Sequence, residues 1–117
     1  MAVDKALEWS RRDEEFVKRA GYSLIAYLAV HDKKLPDPVL GRFLPAIVWG
    51  STDERNFVKR AVNWSLRQIE KRSARLNKAA IKTARRIQRI DSKTARWVAL
   101  DALRELTDPK VQSRLRR

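Results

Sequence analysis

A dense set of basic side chains is the part of this sequence best suited to binding a charged ligand. Residues 67–96 hold eleven Lys and Arg but only two acids. If residues 77–90 form a helix, a rotation of 100° per residue gathers the apolar side chains on one side. The other side has no acid and carries Lys78, Lys82, Arg85, Arg86 and Arg89. A helix side that only faces solvent usually mixes charge signs. The pattern therefore favours contact with the phosphates of a nucleic acid, with a solvated surface as the alternative.

The composition excludes several other chemistries. The sequence has no cysteine and a single histidine, His31, so disulfide scaffolds, thiol nucleophiles and multi-histidine metal sites are ruled out. We expect no metal and no cofactor. A net charge of +13 favours a polyanionic partner, nucleic acid before anionic membrane. With no apolar run of 18 residues and no secretory signal, we expect a soluble cytoplasmic or nucleoid-facing protein.

Three further side chains stand out, and two of them have two interpretations. Trp97 projects away from the apolar side of its predicted helix, which indicates either contact with nucleic acid or packing between repeats. Arg67 lies on a polar helix side, where it could hold a phosphate or pair with Glu70 or Glu54. Trp64 lies at the edge of an apolar arc, and this position favours the core.

The elements that must position these residues are helices in a repeat. Glycine occurs only three times, and apolar residues recur with helical periods of three and four. The residues Phe16–Ala20 recur as Phe57–Ala61 after 41 positions, and Trp97 stands 40 positions further along. Such a period is typical of helix-pair solenoids. We predict one domain over residues 1–117, an all-α HEAT-like superhelix of about three helix pairs plus a terminal helix. Phe16 and Phe57 should occupy equivalent core positions.

Capping patterns and proline positions predict where the helices begin and end. Ser10 with Asp13, and Ser51 with Glu54, have capping-box spacing. Ser92 is also typical of a helix start, and Pro45 should kink or shorten the helix that contains it. The predicted helices span residues 3–9, 12–30, 37–48, 52–71, 75–90, 93–106 and 109–116.

The segment from Asp53 to Ile69 resembles the signature helix of the AlkD-like DNA alkylation-repair glycosylases. An aromatic residue followed by V-K-K-A and then W-A-L-R is typical of that family, and Phe57–Ala61 and Trp64–Arg67 match this order. The segments Trp9–Arg19 and Ala95–Leu106 are also similar to the family. The resemblance implies a HEAT-like fold that clamps alkylated duplex DNA on a basic concave face. It also implies hydrolysis of the N-glycosidic bond of cationic purines such as 3-methyladenine and 7-methylguanine.

The same resemblance implies a role for individual residues. Asp13 would be the catalytic carboxylate, since a cationic base leaves easily and the reaction mainly needs a charge that stabilises an oxocarbenium-like sugar. Trp9 would contact base or sugar, and Arg67 a phosphate. The alternatives are a helix cap for Asp13 and a core position for Trp9. Family members are roughly twice as long, so further N-terminal repeats or a protein partner could complete the DNA groove.

Two other functions remain open from the sequence. The chain could be a non-catalytic basic module that binds DNA or RNA with Lys78, Lys82, Arg85 and Arg89. It could also be a protein-interaction solenoid whose charge attracts an acidic partner.

Overall fold

The computed structural model of the protein describes residues 2–116, which form eight α-helices and no β-strand. The helices are α1 (Ala2–Ser10), α2 (Glu15–His31), α3 (Asp37–Gly41), α4 (Leu44–Gly50), α5 (Asn56–Glu70), α6 (Ala74–Gln88), α7 (Lys93–Leu106) and α8 (Pro109–Arg116). The predicted all-α fold is therefore confirmed.

The helices form two layers, which is the arrangement expected of stacked helix pairs. In the first layer α2, α5 and α7 pack side by side; in the second, α1, the short helices α3 and α4, and α6 follow one another. Hydrogen bonds show that α5 and α7 run parallel, since Asn63 donates to the carbonyl of Val98 and, further along both helices, Arg67 donates to Glu105. The same holds for α2 and α5, because Lys18 bonds Asp53 near their starts and Arg72 bonds the carbonyl of Ala29 near their ends. This is an all-α repeat fold of three helix pairs, closed by α8 against α7.

The predicted third helix is divided into two short ones. α3 ends at Gly41 and α4 begins at Leu44, with Pro45 in the first turn of α4. Proline is tolerated there because the first amides of a helix have no intrahelical acceptor. The prediction that Pro45 shortens this helix is confirmed.

The predicted capping boxes are wrong, whereas the cap at Ser92 is confirmed. Ser10 and Ser51 lie at the C-terminal ends of α1 and α4, where each hydroxyl donates to the carbonyl three residues earlier. Their helices end where we expected the next ones to start, and α2 and α5 begin only at Glu15 and Asn56. Ser92 accepts a hydrogen bond from an amide in the first turn of α7.

The core consists mostly of aliphatic side chains, and the prediction that Phe16 and Phe57 are core residues is wrong. These rings are 68% and 50% exposed. In α5 the buried positions continue from Val58 in steps of three and four, to Val62 and Leu66, so the residue before Val58 faces outward. The repeat equivalence is right, but it relates two surface positions.

Candidate nucleic-acid interface

One aromatic side chain per repeat lies on the outer face of the α2–α5–α7 layer. Phe16, Phe57 and Trp97 follow one another at intervals of 41 and 40 residues, and we call them the aromatic row. They are 68%, 50% and 41% exposed. Because the three helices are parallel neighbours, the row crosses the layer from one repeat to the next. The outward orientation predicted for Trp97 is confirmed.

Cationic side chains connect the members of the aromatic row. The Arg19 guanidinium lies 5.1 Å from the centre of the Phe57 ring, and Lys59 Nζ lies 5.4 Å from the centre of the Trp97 ring. Each cation comes from one helix and covers the ring on the next helix, which is the geometry of a cation–π contact. Aromatic rings beside positive charge suit the stacked bases and phosphates of nucleic acid.

A cleft between α2 and α5 extends this surface. It encloses about 310 Å³ and is lined by Arg19, Ser23, Phe57, Arg60, Ala61 and Trp64. Trp64 is 40% exposed, so its predicted core position is wrong. Trp64 lies seven residues after Phe57, and two helical turns place both rings on the same side of α5. Arg19, Arg60 and Trp64 are not among the surface residues predicted from the sequence. Their spacing of three and seven residues from Phe16 and Phe57 is nevertheless that of one helix side.

Asp13 lies at the edge of this surface, in the loop between α1 and α2. Its backbone carbonyl accepts a hydrogen bond of 2.9 Å from Arg55 Nη1, which connects the starts of α2 and α5. The residue before α2 is Glu14, and it makes no side-chain cap. Among the hydrogen bonds and ion pairs of residues 2–116, none uses the Asp13 carboxylate. The alternative that Asp13 caps the helix is therefore wrong, and its side chain is exposed.

A buried ion pair near Asp13 joins the first turn of α2 to the loop that precedes α5. Lys18 Nζ lies 2.9 Å from Asp53 Oδ2, and both side chains are less than 10% exposed. Arg55 Nη2 donates to the same carboxylate at 2.8 Å. The hydrogen bond from Arg55 is the largest of the effects that hold the pKa of Asp53 well below its ordinary value, against the opposing effect of burial. No local signal in the sequence indicated this pair, because 35 residues separate its partners.

Trp9 belongs to α1 and is half-buried. The end of α1 packs so closely on α2 that a Cβ atom at Gly21 would lie 2.3 Å from the backbone nitrogen of Ser10. Trp9 is thus held on the second layer, next to the loop that carries Asp13.

Arg67 is engaged in an ion pair between α5 and α7. Its Nε donates to the Glu105 carboxylate, and its Nη1 donates to Asn63 Oδ1 at 3.4 Å. Lys71 Nζ lies 2.6 Å from the other oxygen of Glu105. Partial burial would raise the pKa of Glu105, but the hydrogen bonds from Lys71 and Arg67 outweigh it and the pKa is lowered. Arg67 therefore pairs with an acid that sequence analysis did not name, neither Glu70 nor Glu54.

Glu70 is buried in the last turn of α5. It is fully buried, and within residues 2–116 neither carboxylate oxygen has a hydrogen-bond partner. Burial, followed by the nearby charge of Glu105, raises the pKa of Glu70 to about 9. The raised pKa favours the neutral acid at pH 7, against the opposing charges of Lys71 and Arg67.

The basic side of α6 lies on a different face of the molecule from the aromatic row. We call its exposed members the α6 stripe: Lys78, Lys82, Arg85, Arg86 and Arg89. The buried side of α6 packs against α5 and α7, so the stripe points away from them. The aromatic row points away from the same interface in the opposite direction. The structure therefore places Trp97 and the stripe on different surfaces.

Comparison with known proteins relates most of the chain to one family. A family model described as DNA alkylation repair enzyme matches residues 2–106, whereas no curated protein and no solved structure matches the chain. Within residues 2–116, none of the helices has the length and apolarity needed to cross a membrane. The chain belongs to the DNA alkylation repair enzyme family.

Proposed function

We propose that the chain binds alkylated duplex DNA on the outer face of the α2–α5–α7 layer and hydrolyses the N-glycosidic bond of cationic alkylpurines. The observation that carries the proposal is the aromatic row with cations between its rings, in a member of an alkylation-repair family. Arg19 and Arg60 supply positive charge for phosphates, and Phe57 and Trp64 supply flat surfaces for a base or sugar.

The chemistry requires little from the protein beyond one well-placed negative charge. An alkylpurine that carries a positive charge leaves with the electrons of the C1′–N bond and becomes neutral, so no proton has to be supplied to it. The sugar becomes oxocarbenium-like, and the Asp13 carboxylate stabilises this charge. Water then forms the new C1′–O bond, and its proton passes to Asp13 or to solvent.

Trp9 and Arg67 support this site in the proposal. Trp9 is half-buried in α1 and flanks the loop of Asp13. In the proposal it contacts the sugar of the lesion from the edge of the DNA-binding surface. Arg67 has Nε and Nη1 occupied, so it can contact a phosphate through Nη2 while it remains paired with Glu105.

A second candidate function is a non-catalytic nucleic-acid-binding module. The observation that favours it is the exposure of Asp13 in an open loop, since charge stabilisation is strongest in a site that excludes water. Under this alternative the aromatic row and its cations bind DNA or RNA, and Asp13 has no chemical role.

The release of 7-methylguanine from an alkylated duplex tests the proposal, with DNA affinity measured separately. Asp13→Asn should lower the rate about a hundred- to a thousand-fold, because it removes one electrostatic group from the transition state. Affinity should stay the same or rise slightly, since an acid near phosphates is lost. Glu14→Gln is the matched control: it neutralises the next residue, an exposed acid paired with Arg12, and should leave the rate unchanged.

Each other outcome has a defined meaning. Equal rates for Asp13→Asn and the wild type would refute the role of Asp13. A wild type that binds DNA without releasing base would support the binding-module alternative, and the absence of both would refute both candidates.

A further inference from the structure

The α6 stripe is a second surface for a polyanion, separate from the aromatic row. Its five cations are exposed, and none of them has an ion pair or a side-chain hydrogen bond within residues 2–116. At a rise of 1.5 Å per residue, the stripe from Lys78 to Arg89 is about 16 Å long. Four of its members line a cleft of about 420 Å³, whose remaining side chain is Thr83. Thr83 already donates to the carbonyl of Ala79, so charge dominates this surface.

The composition of the stripe matches a phosphate backbone better than it matches a protein. Protein interfaces have an apolar or aromatic centre. The exposed residues on the outer side of α6 between Lys78 and Arg89 include neither an aromatic nor a large aliphatic side chain, only cations and Gln88. Duplex DNA presents about one negative charge per 1.7 Å of its axis, and contacts with these charges need no base recognition. Duplex DNA is therefore the occupant that we infer for the stripe.

The position of the stripe means that its duplex is not the duplex bound on the aromatic row. The two surfaces point in opposite directions from the α5–α6 interface. The smallest extent of the molecule is 18 Å, the thickness expected of two helix layers. Duplex DNA has a persistence length of about 150 base pairs, so a short segment cannot bend around so thin a body to reach both faces.

We propose that one molecule of this protein bridges two segments of duplex DNA, with the aromatic row on one and the α6 stripe on the other. The proposal rests on the proposed DNA binding of the aromatic row. Bridging would hold a second duplex near the one from which a base is released. Base release itself does not need this second duplex.

The test uses two duplexes of 20 base pairs, one immobilised on beads and one fluorescent in solution. Captured fluorescence reports bridging, and protein retained on the beads reports binding to the first duplex. The stripe variant combines Lys82→Gln, Arg85→Gln and Arg89→Gln. The matched control combines Lys33→Gln, Lys34→Gln and Arg42→Gln, which removes the same charge from exposed cations whose side chains also have no partner among residues 2–116. Circular dichroism confirms that both variants fold.

We expect the wild type and the control to capture the second duplex, and the stripe variant to capture at least tenfold less. Protein retention should change by less than about threefold in the stripe variant, since the aromatic row is intact. Lys82→Gln alone should lower the slope of log bridging against log salt by about 0.9, the value for one phosphate contact.

Several results would overturn the proposal. Undiminished bridging by the stripe variant would show that two copies of the protein join two duplexes through their aromatic rows. An equal loss of bridging in the control variant would mean that the net charge of the protein, and not the α6 stripe, determines bridging. Capture of an acidic protein but no duplex by the stripe would identify a different partner. A wild type that is retained on the beads without capturing the second duplex would refute bridging and leave the proposed function intact, whereas no retention at all would refute both.

Discussion

Replacing Glu70 with glutamine should change how the stability of this protein depends on pH. Glu70 is fully buried at the end of α5, without a hydrogen-bond partner for its carboxylate oxygens within residues 2–116. Burial, with a smaller contribution from the charge of Glu105, raises its pKa from 4.5 to about 9. The folded protein therefore keeps a proton on Glu70 over a range of pH in which the unfolded chain has lost it.

The sign and size of the effect follow from proton linkage. Because the folded-state pKa is raised, the stability that the neutral Glu70 allows is fully present below about pH 4.5 and is lost as pH rises towards 9. Each pH unit in this window lowers the free energy of unfolding by about 1.4 kcal/mol. The expected loss is about 3 kcal/mol at pH 7, a substantial part of the stability of a domain of this size.

Glu70→Gln removes this dependence because an amide does not titrate. Its unpaired amide group adds a penalty of about 1–3 kcal/mol, but that penalty is the same at every pH. The free energy of unfolding, measured with urea at pH 5, 6, 7 and 8, should therefore fall for the wild type by about 4 kcal/mol relative to the variant between pH 5 and 8.

Glu54→Gln is the control for this measurement, since Glu54 is an exposed acid on the same chain and should keep the wild-type pH profile. Parallel profiles for the wild type and Glu70→Gln would refute the reasoning. They would mean that Glu70 is ionised in the folded protein and that a cation or water reaches it.

Two further predictions concern the packing that positions Asp13. Gly21→Ala should destabilise the protein by about 1–3 kcal/mol in thermal unfolding, because its Cβ would lie 2.3 Å from the backbone nitrogen of Ser10. Gly41→Ala, with open space around its Cβ, should be neutral or stabilising, and equal effects of the two would contradict the close contact. Lys18→Met should cost about 1.5–3 kcal/mol at pH 7, because Asp53 loses its lysine partner but keeps its hydrogen bonds from Arg55. In urea unfolding, the double variant with Asp53→Asn should lose less stability than the sum of the two single variants, and a purely additive double variant would show that the pair is not coupled.

Helix periodicity in the sequence was enough to predict the fold. The predicted helix 93–106 agrees with α7, and the 41-residue repeat relates α2 to α5 as parallel neighbours. The orientation of individual aromatic rings could not be predicted in the same way. Phe16 and Phe57 are apolar by type, which predicts core positions, but the period that buries Val58 turns the preceding residue outward.

Local motifs were less informative where the same residues fit two structures. Ser10 is followed by Asp13 at the spacing of a capping box, yet a serine can equally end a helix by donating to a carbonyl one turn earlier. The pairs Lys18–Asp53 and Arg67–Glu105 join residues 35 and 38 positions apart, so only the packing of α2, α5 and α7 reveals them.

The sequence also does not predict which helix sides join to form one surface. A sequence assigns each side chain to one side of its own helix, and on this basis both the α6 stripe and Trp97 were correctly expected to face outward. It does not determine whether the outward sides of α6 and α7 meet, because that depends on which layer each helix joins. Full burial would have let each of these large rings contribute about 1.5–3 kcal/mol to folding. This chain instead exposes one ring per repeat, with cations over two of them: Phe16, Phe57 and Trp97, with Arg19 and Lys59. The apolar area of these rings can therefore be buried by a ligand and contribute to its binding.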